Sequence, residues 1–310
     1  MLKSRFAFLF LLFIATFSFG KSFGDKDKDA VKPGNKIEKR DKTISIYTPS
    51  GMEFVLMHVE KAYIPNKASF FDIWHLWQAY ENINGERKQK IIQSGEWETA
   101  IKLKAGFVGG ALHGFERKKS VQFYLDGKPI REDALVPLSS FTEFTIVQVS
   151  DLYAYNSVNE KIAEITKRWE FGRKSEIKLA QTVHWLKAQS LETAYLSMFP
   201  IIRDNDGEYV SNKATRSDID EVVEVSQSGE VGAIGSENKS NKTNSMKVWG
   251  DKYAFSLKVK RKKRLPNSSI WLWAPKQYNK IYFDYSGEYE VKAGEEFQVA
   301  STYTFMVKGE

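Results

Sequence analysis

Residues 176–186 alternate with a period of two. Ile177, Leu179, Val183 and Trp185 fall on one parity, and Lys178, Thr182 and His184 on the other. Successive side chains of a strand point to opposite faces, so this pattern predicts a strand with one face in a core. Similar short runs recur at 44–47, 54–59, 101–103, 121–125, 141–149, 165–171, 253–259, 270–273, 280–285 and 297–307. Turn residues separate them, among them Pro49-Ser-Gly51 and Asp126-Gly127, the latter a strong hairpin dipeptide. Many short strands with few helical periods predict an all-β fold: an antiparallel β-sandwich (jelly roll) with long loops and one or two short helices. The segments 70–80 and 188–198 are the candidates for helix, the second because Leu191, Ala194, Tyr195 and Met198 recur at helical spacing.

Of the 310 residues 42% are hydrophobic and 14% aromatic, which excludes a mainly disordered chain. At the start, Lys3 and Arg5 precede an apolar run over 6–17 and the small residues around Ser18-Phe-Gly20. This is the pattern of a signal peptide over residues 1–20. Residues 21–42, dominated by Lys, Asp, Glu and Gly, read as a polar disordered tether, and 43–310 as a single β-sandwich domain. The polar stretches 204–218 and 226–247 read as long surface loops around one strand at 219–225.

An exported bacterial protein, periplasmic or extracellular and not inserted in the membrane once the leader is removed, is the expectation. The chain has no cysteine, so neither a disulfide nor a thiolate ligand or nucleophile is available. The formal net charge is +7 with acidic residues interspersed throughout, which is not the concentrated footprint of a nucleic-acid binder. The basic run Lys258-Val-Lys-Arg-Lys-Lys-Arg264 reads as a solvated strand end, with contact to a polyanion as the alternative.

The most unusual stretch is Ala105-Gly-Phe-Val-Gly-Gly-Ala-Leu-His-Gly-Phe-Glu116. Glycines such as Gly110 and Gly114 let backbone turn sharply or approach a ligand, and His113 and Glu116 are groups suited to proton transfer. A pair of β-bulges holding a hydrogen-bonded histidine is the structural alternative. Neither a phosphate loop nor a dinucleotide fingerprint fits, and no GxSxG elbow occurs. His184, with Lys187 and Tyr195 nearby, supplies a second set: a titrating base, a cation and a phenol. Arg168 lies on the polar parity of the preceding strand, where a guanidinium can hold a carboxylate.

His58 completes the histidines together with His75, whose Trp74-His-Leu-Trp77 setting suggests packing. There is no HExxH, so no metal site and no cofactor are expected, and a structural calcium near Asp204-Asn-Asp206 is allowed without support. Trp271, Trp273, Tyr278, Tyr282 and Tyr285 are aromatics able to stack on sugars or to fill a core.

The leader, the strand series, Gly109-Gly-Ala-Leu-His-Gly-Phe-Glu116 before a strand ending in Asp126-Gly127, and Gln181-Thr-Val-His-Trp185 together carry a resemblance. Over residues 43–310 the chain resembles secreted jelly-roll, concanavalin-like carbohydrate-active proteins of the polysaccharide-lyase kind. The resemblance implies cleavage of an acidic, uronic-acid-containing polysaccharide by β-elimination. His113 or His184 would be the base and Tyr195 the acid, with Arg168 or Lys187 at the substrate carboxylate. Two other classes remain open: a glycoside hydrolase pairing Glu116 with Glu98 or Glu96, and a glycan-binding protein without catalysis.

Overall fold

The structure, a computed structural model, describes residues 35–62, 69–93, 95, 97, 99–135, 137–205, 208–225, 240–261, 268–275 and 277–308. The expected leader, most of the tether, Glu96, Glu98, Asp206 and the end of the basic run lie outside them. The chain opens with β1 (Asn35–Arg40), β2 (Thr43–Tyr47), β3 (Met52–Lys61), β4 (Phe71–Ile83) and β5 (Glu86–Lys90). Two short strands, β6 (Ala100–Leu103) and β7 (Gly106–Val108), lead to a single helical turn, α1 (Gly110–His113). Then come β8 (Glu116–Leu125), β9 (Lys128–Ile130), β10 (Leu138–Phe141), β11 (Phe144–Tyr153), β12 (Lys161–Phe171), β13 (Glu176–Trp185) and β14 (Gln189–Ile202). The remainder holds β15 (Asp204–Asn205), β16 (Glu208–Tyr209), β17 (Lys213–Arg216), β18 (Val223–Glu224), β19 (Ser245–Trp249), β20 (Tyr253–Arg261), β21 (Ser268–Trp273), β22 (Tyr278–Val291) and β23 (Glu296–Val307).

These strands form the all-β, antiparallel sandwich expected from the alternation. The larger sheet runs β10-β1-β2-β3-β4-β8-β11-β12-β13-β23-β20-β19-β17-β18, with β5 added beside β4 and β9 beside β8. The smaller runs β21-β22-β14-β6-β7. Every pairing in both is antiparallel except β4 with β8. Hairpin neighbours dominate the order, as short turns between strands require. In β13 the residues Ile177, Leu179, Val183 and Trp185 are buried, and His184 on the other parity is half exposed.

The two sheets meet through aromatic side chains. Trp97, fully buried before β6, lies 5.2 Å from the rings of both Phe199 of β14 and Tyr303 of β23. Phe199 touches Phe305 at 5.3 Å, and Phe305 touches Phe54 of β3 at 5.0 Å. One contiguous apolar core therefore joins the β1–β4 region, the middle of the large sheet and the inner face of the small one. A cysteine-free chain has to draw its stability from a core of this size.

Four sequence expectations change. Both candidate helices are strands, β4 and β14. In β14 bulges fall between Leu191 and Thr193 and between Tyr195 and Ser197. Each bulge inserts a residue, so the buried pair Leu191 and Ala194 share a face three positions apart and mimic a helical period. In β4 both faces are covered from Ile73 to Leu76, and a bulge at Trp77 resets the parity. The expected tether ends in β1, whose Ile37 is buried while β2 and β10 supply its backbone partners. The loop expected at 204–218 carries β15, β16 and β17, and the strand expected at 219–225 is reduced to β18.

Candidate functional site

The glycine-rich stretch forms β7, α1 and the tight return to β8. Gly109, Gly110 and Gly114 all have positive φ, and a Cβ on Gly109 would stand 2.8 Å from the carbonyl oxygen of Thr99. Glycine is required there by the turn and by the closeness of the neighbouring backbone. Glu116 is fully buried, accepting from the Gly110 N–H at 2.8 Å and pairing with the equally buried Lys167 at 3.0 Å. That carboxylate fastens the glycine turn to β12. With no exposed surface, it has no contact with a sugar in solvent, so the expected roles of Glu116 as proton donor or acceptor, and of Gly110 as a ligand loop, give way to structural ones.

His113 closes α1 and stacks on Phe107 at 4.6 Å, and Phe107 stacks in turn on Tyr195 at 6.3 Å. Tyr195 meets Tyr282 at 4.8 Å, and Tyr282 lies parallel to Trp271 at 4.5 Å. Phe107, Tyr195, Tyr282 and Trp271 project from the side of the small sheet turned away from the core, because their chain neighbours Val108, Ala194, Ile281 and Ile270 are core residues, and His113 joins them through its stack on Phe107. The structure therefore brings two predicted residues, His113 and Tyr195, to one face, with Phe107 standing between them. Burial, and then the charge of Asp284, push the Tyr195 phenol up from its ordinary value. These rings occupy one another's faces, and Trp271 and Tyr282 are only 7% exposed. Trp271 and Tyr282, with Ala100, Met198 and the flanking Tyr195, form a satellite core in which these ring faces are covered.

The other predicted residues lie elsewhere. His184 leaves β13 on the side opposite Val183 and Trp185, with Nδ1 3.4 Å from Glu296. His184 thus stands on the outer side of the large sheet, whereas His113 ends α1 against the small sheet's Phe107. Arg168 shares the outer side of the large sheet with His184, but its cross-strand partner is Ala180 whereas that of His184 is Glu164. Four residues of strand, about 13 Å, separate them, and Arg168 is occupied by Glu170 at 2.6 Å. Lys187 pairs with Glu160 at 3.0 Å.

An open groove that sequence reasoning missed lies over β1–β5, on the face turned away from Phe54. It has a volume of about 600 Å³. Cross-strand register sets Tyr47, Glu53 and Tyr80 in one row, and the β4–β5 hairpin sets Arg87 beside Asn82. Its turn is Asn84-Gly85, both with positive φ, the requirement of a two-residue hairpin loop. Glu53 is 1% exposed, and its carboxylate accepts four hydrogen bonds: Ser45 Oγ at 3.0 Å, Asn82 Nδ2 at 2.9 Å, and Arg87 Nε and Nη2 at 2.9 and 2.7 Å. Burial opposes ionisation of Glu53, but the bonds from Arg87, Asn82 and Ser45, with the charge of Arg87, together hold its pKa below the ordinary carboxylate value.

The bond to Glu53 raises the pKa of Arg87 in return, and the guanidinium lies 4.3 Å over the Tyr80 ring. Its side chain stays 49% exposed. Trp77, displaced outward by its bulge, is 40% exposed in the wall. A second hollow of about 790 Å³ adjoins the first and shares Glu38, Arg40, Tyr47, Asn82 and Gly85 with it. Two signals in the sequence pointed here: a lone carboxylate in the apolar run Met52-Glu-Phe-Val-Leu-Met57, and the hairpin dipeptide Asn84-Gly85 just before Arg87.

No family model matches the chain, and no curated protein matches it. Solved structures align with most of the chain. An α-N-acetylgalactosaminidase from Bifidobacterium bifidum aligns with 88% of this chain at 8% identity and a TM-score of 0.47. A galactose 1-epimerase from Lactobacillus acidophilus aligns with 90% at 12% identity and a TM-score of 0.43, covering 99% of that chain. A heparan sulfate lyase from Pedobacter heparinus aligns with 90% at 8% identity and a TM-score of 0.39. The chain spans 36% of the length of the first and of the third. At these identities and scores the likeness is one of β architecture alone.

Proposed function

We propose that this protein is an exported carbohydrate-binding protein and that the groove over β1–β5 is its sugar site. One observation carries this: a buried carboxylate fixes a half-exposed guanidinium in an open groove that also presents the indole of Trp77 and the phenol of Tyr47. Sugars offer apolar C–H faces ringed by hydroxyl groups, and they are held by aromatic surface beside rigid planar hydrogen-bonding groups. A hollow of some 600 Å³ is within the size range of small-ligand sites, about 300–1,000 Å³. The leader-like start of the sequence supports export.

Binding without turnover is favoured by the acid–base inventory. The groove lining contains no histidine, and of its carboxylates Glu53 is held ionised with its acceptor positions filled while Glu38 and Glu86 are paired with Arg40 and Lys88. A lyase would instead use His113 and Tyr195 on the small sheet, where a tyrosine kept protonated stands on the same face as an imidazole. Incubation with a panel of acidic and neutral polysaccharides separates these functions. Retention without cleavage is the expected result. Unsaturated, ultraviolet-absorbing ends that disappear in His113→Ala and Tyr195→Phe would replace it with β-elimination, and new reducing ends without that absorbance with hydrolysis.

A further inference from the structure

We propose that the groove takes an acidic glycan chain, with Arg87 reading the carboxylate of a uronic acid residue and the adjoining hollow receiving the next part of the same chain. This rests on the groove being a sugar site and names the class of sugar.

The hydrogen-bonding capacity left at the centre of the groove lies with Arg87. An ionised carboxylate has about four acceptor positions, and all those of Glu53 are taken by Ser45, Asn82 and Arg87. Asn82 Oδ1 accepts the Gly85 N–H at 3.0 Å, and Glu38 accepts from Arg40 at 2.7 Å. Arg87 has donors to spare. A guanidinium carries five N–H donors, and the two bonds of Arg87 to Glu53 are those it makes among the described residues. With one edge fixed by Glu53 and its plane fixed by Tyr80, the rest of the fork is held ready for a second carboxylate.

A ligand bearing a planar carboxylate matches this free end of the guanidinium better than one bearing hydroxyl groups alone. The charged groups lining the first hollow are all paired, Arg40 with Glu38, Arg87 with Glu53, and Glu86 with Lys88 beside it. Recognition is therefore by short-range geometry, and salt weakens it less than it weakens adsorption of a polyanion to a basic patch. Because the two hollows share five lining residues, they form one trough over β1–β5, long enough for a chain rather than a single terminal sugar.

The test is calorimetric titration of the full-length protein with a uronic acid tetrasaccharide and with the same oligosaccharide after reduction of its carboxyl groups. Wild type, Arg87→Ala and Arg87→Lys are compared, each checked for folding by circular dichroism. Arg87→Lys retains a cation for the buried Glu53 but lacks the fork. Wild type should prefer the acidic form by about tenfold or more, the value of one charge-assisted contact. Both variants should lose that preference. Equal binding of the two oligosaccharides by wild type, or an undiminished preference in Arg87→Lys, overturns the assignment of Arg87 and leaves the sugar site standing. Binding of neither oligosaccharide by wild type overturns the sugar site itself.

Discussion

Replacing Glu53 by Gln keeps the side-chain volume and removes the charge that organises the groove. One carboxylate oxygen becomes an NH2 group facing donors. Ser45 can rotate its hydroxyl to accept, but one N–H of Arg87 then loses its partner. A hydrogen bond to a charged group contributes about 1.5–3 kcal/mol. The Arg87 side chain is 49% exposed, so water replaces part of that. The expected loss of folding stability at pH 7 is about 1–2 kcal/mol, measured by urea unfolding.

Its pH dependence provides the sharper test. The folded pKa of Glu53 is depressed, so its stabilisation is complete above the unfolded carboxyl value, about 4.3, and is lost as pH falls through the lower folded value. The gap between wild type and Glu53→Gln should therefore be constant from pH 8 to 5 and close below about pH 4. A gap that shows no narrowing as pH falls below 4, or one below about 0.5 kcal/mol at neutral pH, would refute the carboxylate–guanidinium account.

Three further outcomes are expected. Trp97→Ala should cost about 3–5 kcal/mol, read from the urea midpoint, because the buried ring touches Phe199, Tyr303 and Phe305 in the seam between the sheets. Lys167→Met should cost about 3–5 kcal/mol by leaving Glu116 buried without its cation, and adding Glu116→Leu should recover much of that loss. Burial holds His75 down to about 4. The unfolded chain binds that proton first, so stability should fall as pH drops from about 6.5 to 4, by up to about 3 kcal/mol, and His75→Phe should flatten the slope.

The fold was legible wherever one face of a strand is wet. Residues 176–185 alternate cleanly because β13 carries Lys178, Thr182 and His184 on its outer side. Legibility failed where bulges or double burial break that parity. Leu191 and Ala194 imitated a helix because a bulge lies between them, and 73–76 lost alternation because both faces are covered.

The site was harder to see because its members are joined by sheet register. Glu53 and Arg87, 34 residues apart, meet only when β3, β4 and β5 are in place. His184 is turned to the outer side of the large sheet by the parity of β13, while His113 is placed by the turn α1 against Phe107. Glu116 looked reactive beside its glycines, but its depth makes it a fastening for α1.

The location of the sugar site is tested most directly by comparing affinity for one acidic glycan in two sets of variants. Trp77→Ala and Arg87→Lys alter the groove over β1–β5, and His113→Ala and Tyr195→Phe alter the outer face of the small sheet. Weaker binding in the first pair, by about tenfold, with wild-type affinity in the second, is the result the structure predicts. The reverse pattern would contradict it and move the site to the small sheet.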